Sequence, residues 1–518
     1  MKHTLPFFKK TSAVLSLAGL LFFIFIPWTA LAQTAALTIL HTNDTHGHLL
    51  PFSYPSLSEP CSPGAALAER KAIGGIARRA TLVKQIRSEL QARGIPVWLV
   101  DAGDFSDGTP FSLAYGGKAD VAAMNAAGYD FATLGNHEFN QTLVALRQLV
   151  AEARYPILCA NCLLKATRTP LVKPYKIVRL SSLRVGIFGL VTTEAATYPA
   201  AREGVMIVDE VTTAQKVVQE LRSQADIIIL ISHCGEEVDK KLASAITGID
   251  VIVGGHSHSR LPVGAFVWRT DELMADQVNG TIIVQAYQWG GELGRCDLLF
   301  KRDAGNRWHV DRYRALLIPI TAAITPDPQV SAEVERYWRP VAAQYDEVIG
   351  EATGDFTNRC DDAAEYNLVA DAVRETMRTD IELENEGGIR SALVTGRITR
   401  GDLITLDPFK NTVVTFRITG RKLREILLRH APAVSGIRYR LENKKLGEVF
   451  VNGKPLEDDY QYTGATNSYF AHKALTEAGV EFQDTNRQRL DCLITYIRQK
   501  GTIHPIYDNR RVVIHRSP

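Results

Sequence analysis

The sequence predicts an α/β layered domain followed by a separate α+β region. Two observations carry this. Between residues 37 and 286, short apolar runs rich in β-branched residues alternate with helical stretches, and after Pro326 and Pro328 the pattern changes. Continuous apolar runs are what strands covered on both faces look like, and their alternation with helices gives the α/β arrangement.

The runs are 37–41 (LTILH), 97–101 (VWLVD), 131–135 (FATLG), 185–190 (VGIFGL), 226–232 (DIIILIS), 250–255 (DVIVGG) and 281–286 (TIIVQA). Helices are expected over Ile76–Arg93, Leu143–Ala153, Thr212–Gln224 and Glu237–Ala245. Residues 331–345 read as a mostly polar helix interrupted by Pro340, so 322–348 is taken as a linker or bridging helix. It joins a first domain over 33–321 to a second over 349–518. No repeat or low-complexity segment is present.

A length of 518 residues fits two to four domains. With 46% hydrophobic and 22% charged residues, composition excludes a disordered chain, a collagen-like fibre and a polytopic membrane protein. Lys+Arg number 59 and Asp+Glu 57, for a net charge of +2, which gives no basis for coating a nucleic-acid polymer.

The N-terminus is basic at Lys2, Lys9 and Lys10, and an apolar run then extends from Ala13 to Ala32. It ends in Ala30-Leu31-Ala32, a small-x-small cleavage pattern, so residues 1–32 read as a secretory signal peptide cut after Ala32. The mature protein is then expected in the periplasm or secreted, with no stable membrane partner. Seven cysteines are too few for a disulfide scaffold, and an odd count leaves at least one unpaired in the monomer. Cys159-Ala-Asn-Cys162 lacks the second CxxC of a zinc site, and a local disulfide or plain thiols both fit.

Five segments carry metal-ligand residue types, each directly after an expected strand. They contain Asp44 and His46, Asp104, Asn136 with His137, His233, and His256 with His258. In layered α/β folds ligands bind beyond the carboxyl ends of strands, so loops far apart in sequence can converge. Imidazoles, carboxylates and an amide oxygen together suit Zn, Mn, Fe, Ni or Co better than Ca or Mg alone. Seven ligands exceed one tetrahedral site and suit two ions ~3.5–4 Å apart. Asp104 is the natural bridge, since a carboxylate can give one oxygen to each ion.

The series DTH, GD, GNHE, SHCG and GGHSH resembles the calcineurin-like metallophosphoesterases. The fuller strings ILHTNDTHGH, DAGDFSDGTP, GNHEFN and VQAYQWGGELGR resemble the secreted bacterial 5′-nucleotidase and UDP-sugar hydrolase type. The resemblance implies a four-layer α/β/β/α sandwich followed by a 5′-nucleotidase C-terminal domain. It also implies two divalent ions, one held by Asp44, His46, Asp104 and His258, the other by Asp104, Asn136, His233 and His256. His137 would stabilise developing charge or protonate the leaving group. Where the family reads GNHEFD, this chain has Asn140, which carries no charge and should raise the His137 pKa less. Glu138 and Asp101 are expected to orient neighbouring loops.

In the second half, Asn385-Glu-Gly-Gly388-Ile-Arg390 resembles the family's NGGGIR, and Asp407-Pro-Phe409-Lys-Asn411 resembles its PFGN. The resemblance implies a nucleotide pocket of Arg359, Asn385, Gly388, Arg390, Phe409 and Asn411, with Phe409 stacking on the base. The family's later GGDGF is absent, so Phe482, or Phe470, is the candidate second ring. The implied function is a 5′-nucleotidase acting on a small nucleotide. Alternatives in the same chemistry are a 2′,3′-cyclic-nucleotide phosphodiesterase or UDP-sugar pyrophosphatase; a different class is an inactive nucleotide-binding protein.

Overall fold

The computed structural model describes residues 34–55, 61, 64, 67–268, 280–360, 362–385 and 387–514. The expected signal peptide, 1–32, lies outside the described residues. Among the described residues no helix is long and apolar enough to cross a membrane.

The first half holds two six-stranded sheets. One runs Trp308–Pro319, Glu292–Arg302, Thr34–Thr42, Val97–Asp101, Phe131–Thr133, Ile157–Leu158; the other runs Ala265–Trp268, Gly280–Val284, Val251–Gly254, Ile227–His233, Leu183–Val191, Tyr175–Leu180. Side chains alternate across a strand. In Thr34–Thr42 this sends Ile39 between the sheets, with Val100, Phe131, Val185, Ile229 and Val253. Leu40 faces the other way, toward helices Ile76–Gln91 and Lys118–Ala127. Helices Glu210–Leu221 and Glu236–Ala245 cover the far face of the second sheet through Val217, Val218 and Leu242. Four layers result, α/β/β/α, and burial on both faces explains why the strands read as unbroken apolar runs.

All seven runs form strands and all four helices form, with ends shifted by a few residues. The pattern did not mark the antiparallel pair Glu292–Arg302 and Trp308–Pro319 at the edge of the first sheet. Part of each of those strands alternates in burial, which weakens the apolar signal. The bridging segment forms helix Pro328–Trp338, capped by Asp327, which accepts from the Gln329 and Val330 amides. Val330 and Val334 seat it in the core of the first half, and Trp338 packs on Phe111.

The second half is built on a five-stranded sheet ordered Ala433–Ser435, Ile381–Glu384, Gln461–Asn467, Thr412–Thr419, Phe482–Gln488. Helices Ala364–Met377 and Arg489–Lys500 pack together beside it. A disulfide joins Cys61 of the first half to Cys360 of the second. Cys159, Cys162, Cys234, Cys296 and Cys492 are buried thiols; the Cys159 and Cys162 sulfurs lie 2.7 Å apart.

Candidate metal centre

Adjacent parallel strands end at one rim of the two sheets, and their loops supply the candidate ligands. Asp44 and His46 follow Thr34–Thr42, Asp104 follows Val97–Asp101, and Asn136 follows Phe131–Thr133. From the second sheet, His233 ends its strand and His256 and His258 follow Val251–Gly254. Five of these residues hold left-handed backbone: Asp44 (φ 49°), His46 (46°), Asp104 (53°), His256 (74°) and His258 (52°). Such conformations are uncommon outside glycine and gather at sites where surrounding structure enforces them.

The side chains meet closely. His233 Nε2 lies 3.1 Å from Asp104 Oδ2 and 3.2 Å from Asn136 Oδ1. His258 Nε2 is 3.3 Å from both Asp44 Oδ1 and His46 Nε2. Two sets offer ligand atoms within 4.8 Å of one another: Asp44, His46 and His258, and Asp104, His233 and His256. His137 forms a third such set with His46 and Asp104.

The donor set fits divalent cations. His46 Nδ1 and His233 Nδ1 lie 2.9 and 2.7 Å from the Asp107 and Ala102 carbonyls. A carbonyl only accepts, so each Nδ1 carries the proton and each Nε2 lone pair points into the cluster. Burial opposes ionisation of Asp104, but His233 and His137 outweigh it and hold the carboxyl well below its usual range. Burial also opposes charge on His233, yet Asp104 and Asp44 push its pKa up to about 10. The buried carboxylates thus favour positive charge at the cluster, which a bound divalent ion would supply.

Around the cluster, Glu138 accepts from the Gly135, Asp104 and Ser106 amides and from the Ser106 hydroxyl. Asp101 accepts from the Gly103 amide and the Thr42 hydroxyl. Both carboxylates therefore pin the loops that carry Asp104 and Asn136. His41 is buried in the sheet, and burial lowers its pKa to about 3, so it is neutral. His48 stacks on Trp289.

Residues 37–260 match the family model of the calcineurin-like phosphoesterases, and residues 348–476 match that of the 5′-nucleotidase C-terminal domain. The chain thus carries a calcineurin-like phosphoesterase domain followed by a 5′-nucleotidase C-terminal domain. It is a metal-dependent phosphoric ester hydrolase of the branch that carries a 5′-nucleotidase C-terminal domain. It is 28% identical to Protein UshA of Yersinia enterocolitica over 85% of this chain and 86% of that one. Similarity to a 5′-nucleotidase of Vibrio vulnificus is 27% over 86% of both chains. The solved 5′-nucleotidase precursor of Thermus thermophilus superposes with a TM-score of 0.82 at 28% identity, covering 93% of this chain and all of that one.

Within this phosphoesterase, the second half reaches the metal cluster. Arg390 Nη2 lies 3.2 Å from His46 Nε2, and the Phe409 ring centroid is 6.0 Å from that of His137. The Arg390 guanidinium sits 6.0 Å from the Phe409 centroid. Asn385 Oδ1 accepts from Asn467 Nδ2, the Gly388 carbonyl from Arg489, and Asn411 Oδ1 from the Ser468 hydroxyl. Arg359 is exposed and stacks on Tyr507 at 3.7 Å, next to the disulfide.

Phe482 lies elsewhere. It pairs with Phe416 across the sheet, and Phe416 is four residues along its strand from Thr412, roughly 13 Å at strand rise. Phe470 is buried in the same core. This corrects that expectation: both were chosen for residue type, but the sheet register sets Phe482, half-buried, opposite Phe416, along the strand from Thr412, and Phe470 is taken up by the core. Tyr469, next to Phe470 in sequence, is half exposed.

Asp107 is the functional residue that sequence reading missed. His137 Nδ1 lies 2.8 Å from Asp107 Oδ2, and Asn140 donates to the same oxygen. Burial lowers the His137 pKa, but Asp104 and then Asp107 reverse this and raise it above ordinary imidazole. Asn140 was expected to raise the His137 pKa less than a charged residue would; the charges that raise it are Asp104 and Asp107, and Asn140 donates to the same Asp107 oxygen. Tyr198 was also missed; its hydroxyl accepts from Asn136 Nδ2 and so turns Asn136 Oδ1 toward His233. Asp107 stands inside the DAGDFSDGTP string, but its partner His137 lies 30 residues away, and Tyr198 sits in a loop with no period to mark it.

Proposed function

We propose that this protein is an exported 5′-nucleotidase that releases phosphate from nucleoside monophosphates, using two transition-metal ions drawn from Zn, Mn, Co, Fe or Ni. The observation that carries the reading is the meeting of Arg390 and Phe409 with His46 and His137. A phosphate at the metal cluster would lie beside the Arg390 fork, with a base within reach of Phe409. The domain division 33–321, 322–348 and 349–518 and the signal over 1–32 belong to the same proposal.

Asp44, His46, Asp104 and His258 would hold one ion, and Asp104, Asn136, His233 and His256 the other. When bound, such ions polarise phosphoryl oxygens and lower the pKa of water. His137, proton held on Nδ1 by Asp107, presents Nε2 at 3.9 Å from Asp104 Oδ2. With its pKa raised it is the group suited to protonate the leaving alkoxide. Arg390 would orient the phosphoryl group through its planar fork. Phe409 would stack on the base, and Asn385, Gly388, Asn411 and Arg359 would line the path.

The test assays purified mature protein with Mn or Co on AMP, cyclic 2′,3′-AMP, UDP-glucose and bis-p-nitrophenyl phosphate. AMP is expected to turn over fastest, in a metal-dependent way. No metal-dependent product from any of them would leave only a nucleotide-binding protein. Faster turnover of the cyclic diester would replace the monoesterase reading with a diesterase.

A further inference from the structure

The second half buries a charged node beneath the substrate loops. Arg489 opens helix Arg489–Lys500 and is fully buried, as are Glu384 and Asp407. Its Nε donates to Asp407 Oδ2 at 2.8 Å and its Nη2 to Asp407 Oδ1, a two-point grip. Nη1 donates to Glu384 Oε1 at 2.7 Å, and Nη2 also donates to the Gly388 carbonyl at 2.8 Å. The Arg489 amide donates to the Asn411 carbonyl at 2.9 Å.

These partners belong to two different loops. Glu384 and Gly388 bracket Asn385 and lead to Arg390, which is on the phosphate side. Asp407 and Asn411 bracket Phe409, which is on the base side. Glu384 Oε1 also accepts from the Asn385 amide and from Asn467 Nδ2, so it passes the constraint on to Asn385. One guanidinium therefore holds both ends of the pocket, and its planar fork is the chemistry that allows it; an ammonium is a single point.

We propose that Arg489 is a positioning residue for nucleotide recognition. It fixes the 385–390 segment against the 407–411 segment, so that Arg390 and Phe409 keep the phosphate-to-base spacing of a nucleoside monophosphate. Arg489 touches no substrate. The inference rests on the nucleotide reading above and deepens it.

The test compares AMP with ribose 5-phosphate, which keeps sugar and phosphate but has no base. In folded, metal-loaded Arg489→Lys, KM for AMP is expected to rise at least tenfold with kcat within twofold, while kcat/KM for ribose 5-phosphate moves less than threefold. A thermal melt establishes that the variant is folded. An unchanged KM for AMP overturns the proposal. A parallel loss on both substrates also overturns it, since that is what a purely structural role gives. If Arg489→Lys does not fold, Asp407→Asn, which keeps the Arg489–Glu384 arm and weakens the other, is read the same way. Phe409→Ala is the control for the underlying reading. If it leaves KM for AMP unchanged, the nucleotide pocket itself is wrong, whereas a raised KM there with an unchanged Arg489→Lys defeats the positioning role alone.

Discussion

In the first half, the buried carboxylates Asp44 and Asp104 converge on imidazoles, and among the described residues their ion-pair partners are all histidines. In the second half, the buried carboxylates Glu384 and Asp407 converge on a permanent cation, Arg489. All four carboxylates are buried, where unpaired charge is costly. The difference is who supplies the positive charge. An arginine cannot leave or lose its proton, so that node is a frame. Histidines can release protons to make room for a metal ion, so that cluster is a socket.

Removing the exchangeable cation is the hardest test of that contrast. Chelation is expected to abolish hydrolysis and lower the melting midpoint, with Mn or Co restoring both. Saturating ion at ~100 times its Kd is worth about 2.7 kcal/mol of stability. Activity that survives exhaustive chelation would erase the distinction. Asp104→Ala should lower kcat by ~10³-fold, the equivalent of several kcal/mol of lost charge stabilisation, and reduce bound metal by elemental analysis. Full activity with full metal content in that variant would remove Asp104 as the bridge.

His137→Ala should lower kcat ~10²-fold or more, the usual loss for a general acid, and leave metal content intact. Phe409→Ala should raise KM for AMP ~10-fold, in line with ~1–3 kcal/mol for base stacking, and leave kcat near wild type. The smallest effect is expected at Asp107. His137 works protonated, so activity holds below its pKa and falls above it. Asp107 raises that pKa, so Asp107→Asn should move the alkaline limb of the rate profile to lower pH, with a few-fold loss at neutrality. An unmoved limb would leave Asn140 or Asp104 as the controlling neighbour.

The socket was legible in sequence for a physical reason. Each ligand stands at or just after the end of a strand so apolar that its end is unmistakable, and the parallel strands of the two packed sheets end at a shared rim. The frame was not legible. Arg489 begins a helix in a polar stretch, QRLDC, and reads as surface until the fold places Glu384 and Asp407 around it. Asp107 and Tyr198 escaped for the same cause, since a partner reached across loops leaves no local period. Phe482 shows the reverse error: an aromatic chosen by type alone, with register setting it opposite Phe416, along the strand from Thr412.

The disulfide between Cys61 and Cys360 spans 299 residues. A chain made at ~5–20 residues per second exposes Cys61 for about 15–60 s before Cys360 exists. Until then Cys61 is an unmatched thiol, beside four other cysteines of the first half, Cys159, Cys162, Cys234 and Cys296. Burial of those four in the finished first half takes them out of competition. The bond can close only after Cys360 has been made and brought to Cys61, so it ties the second half to the first.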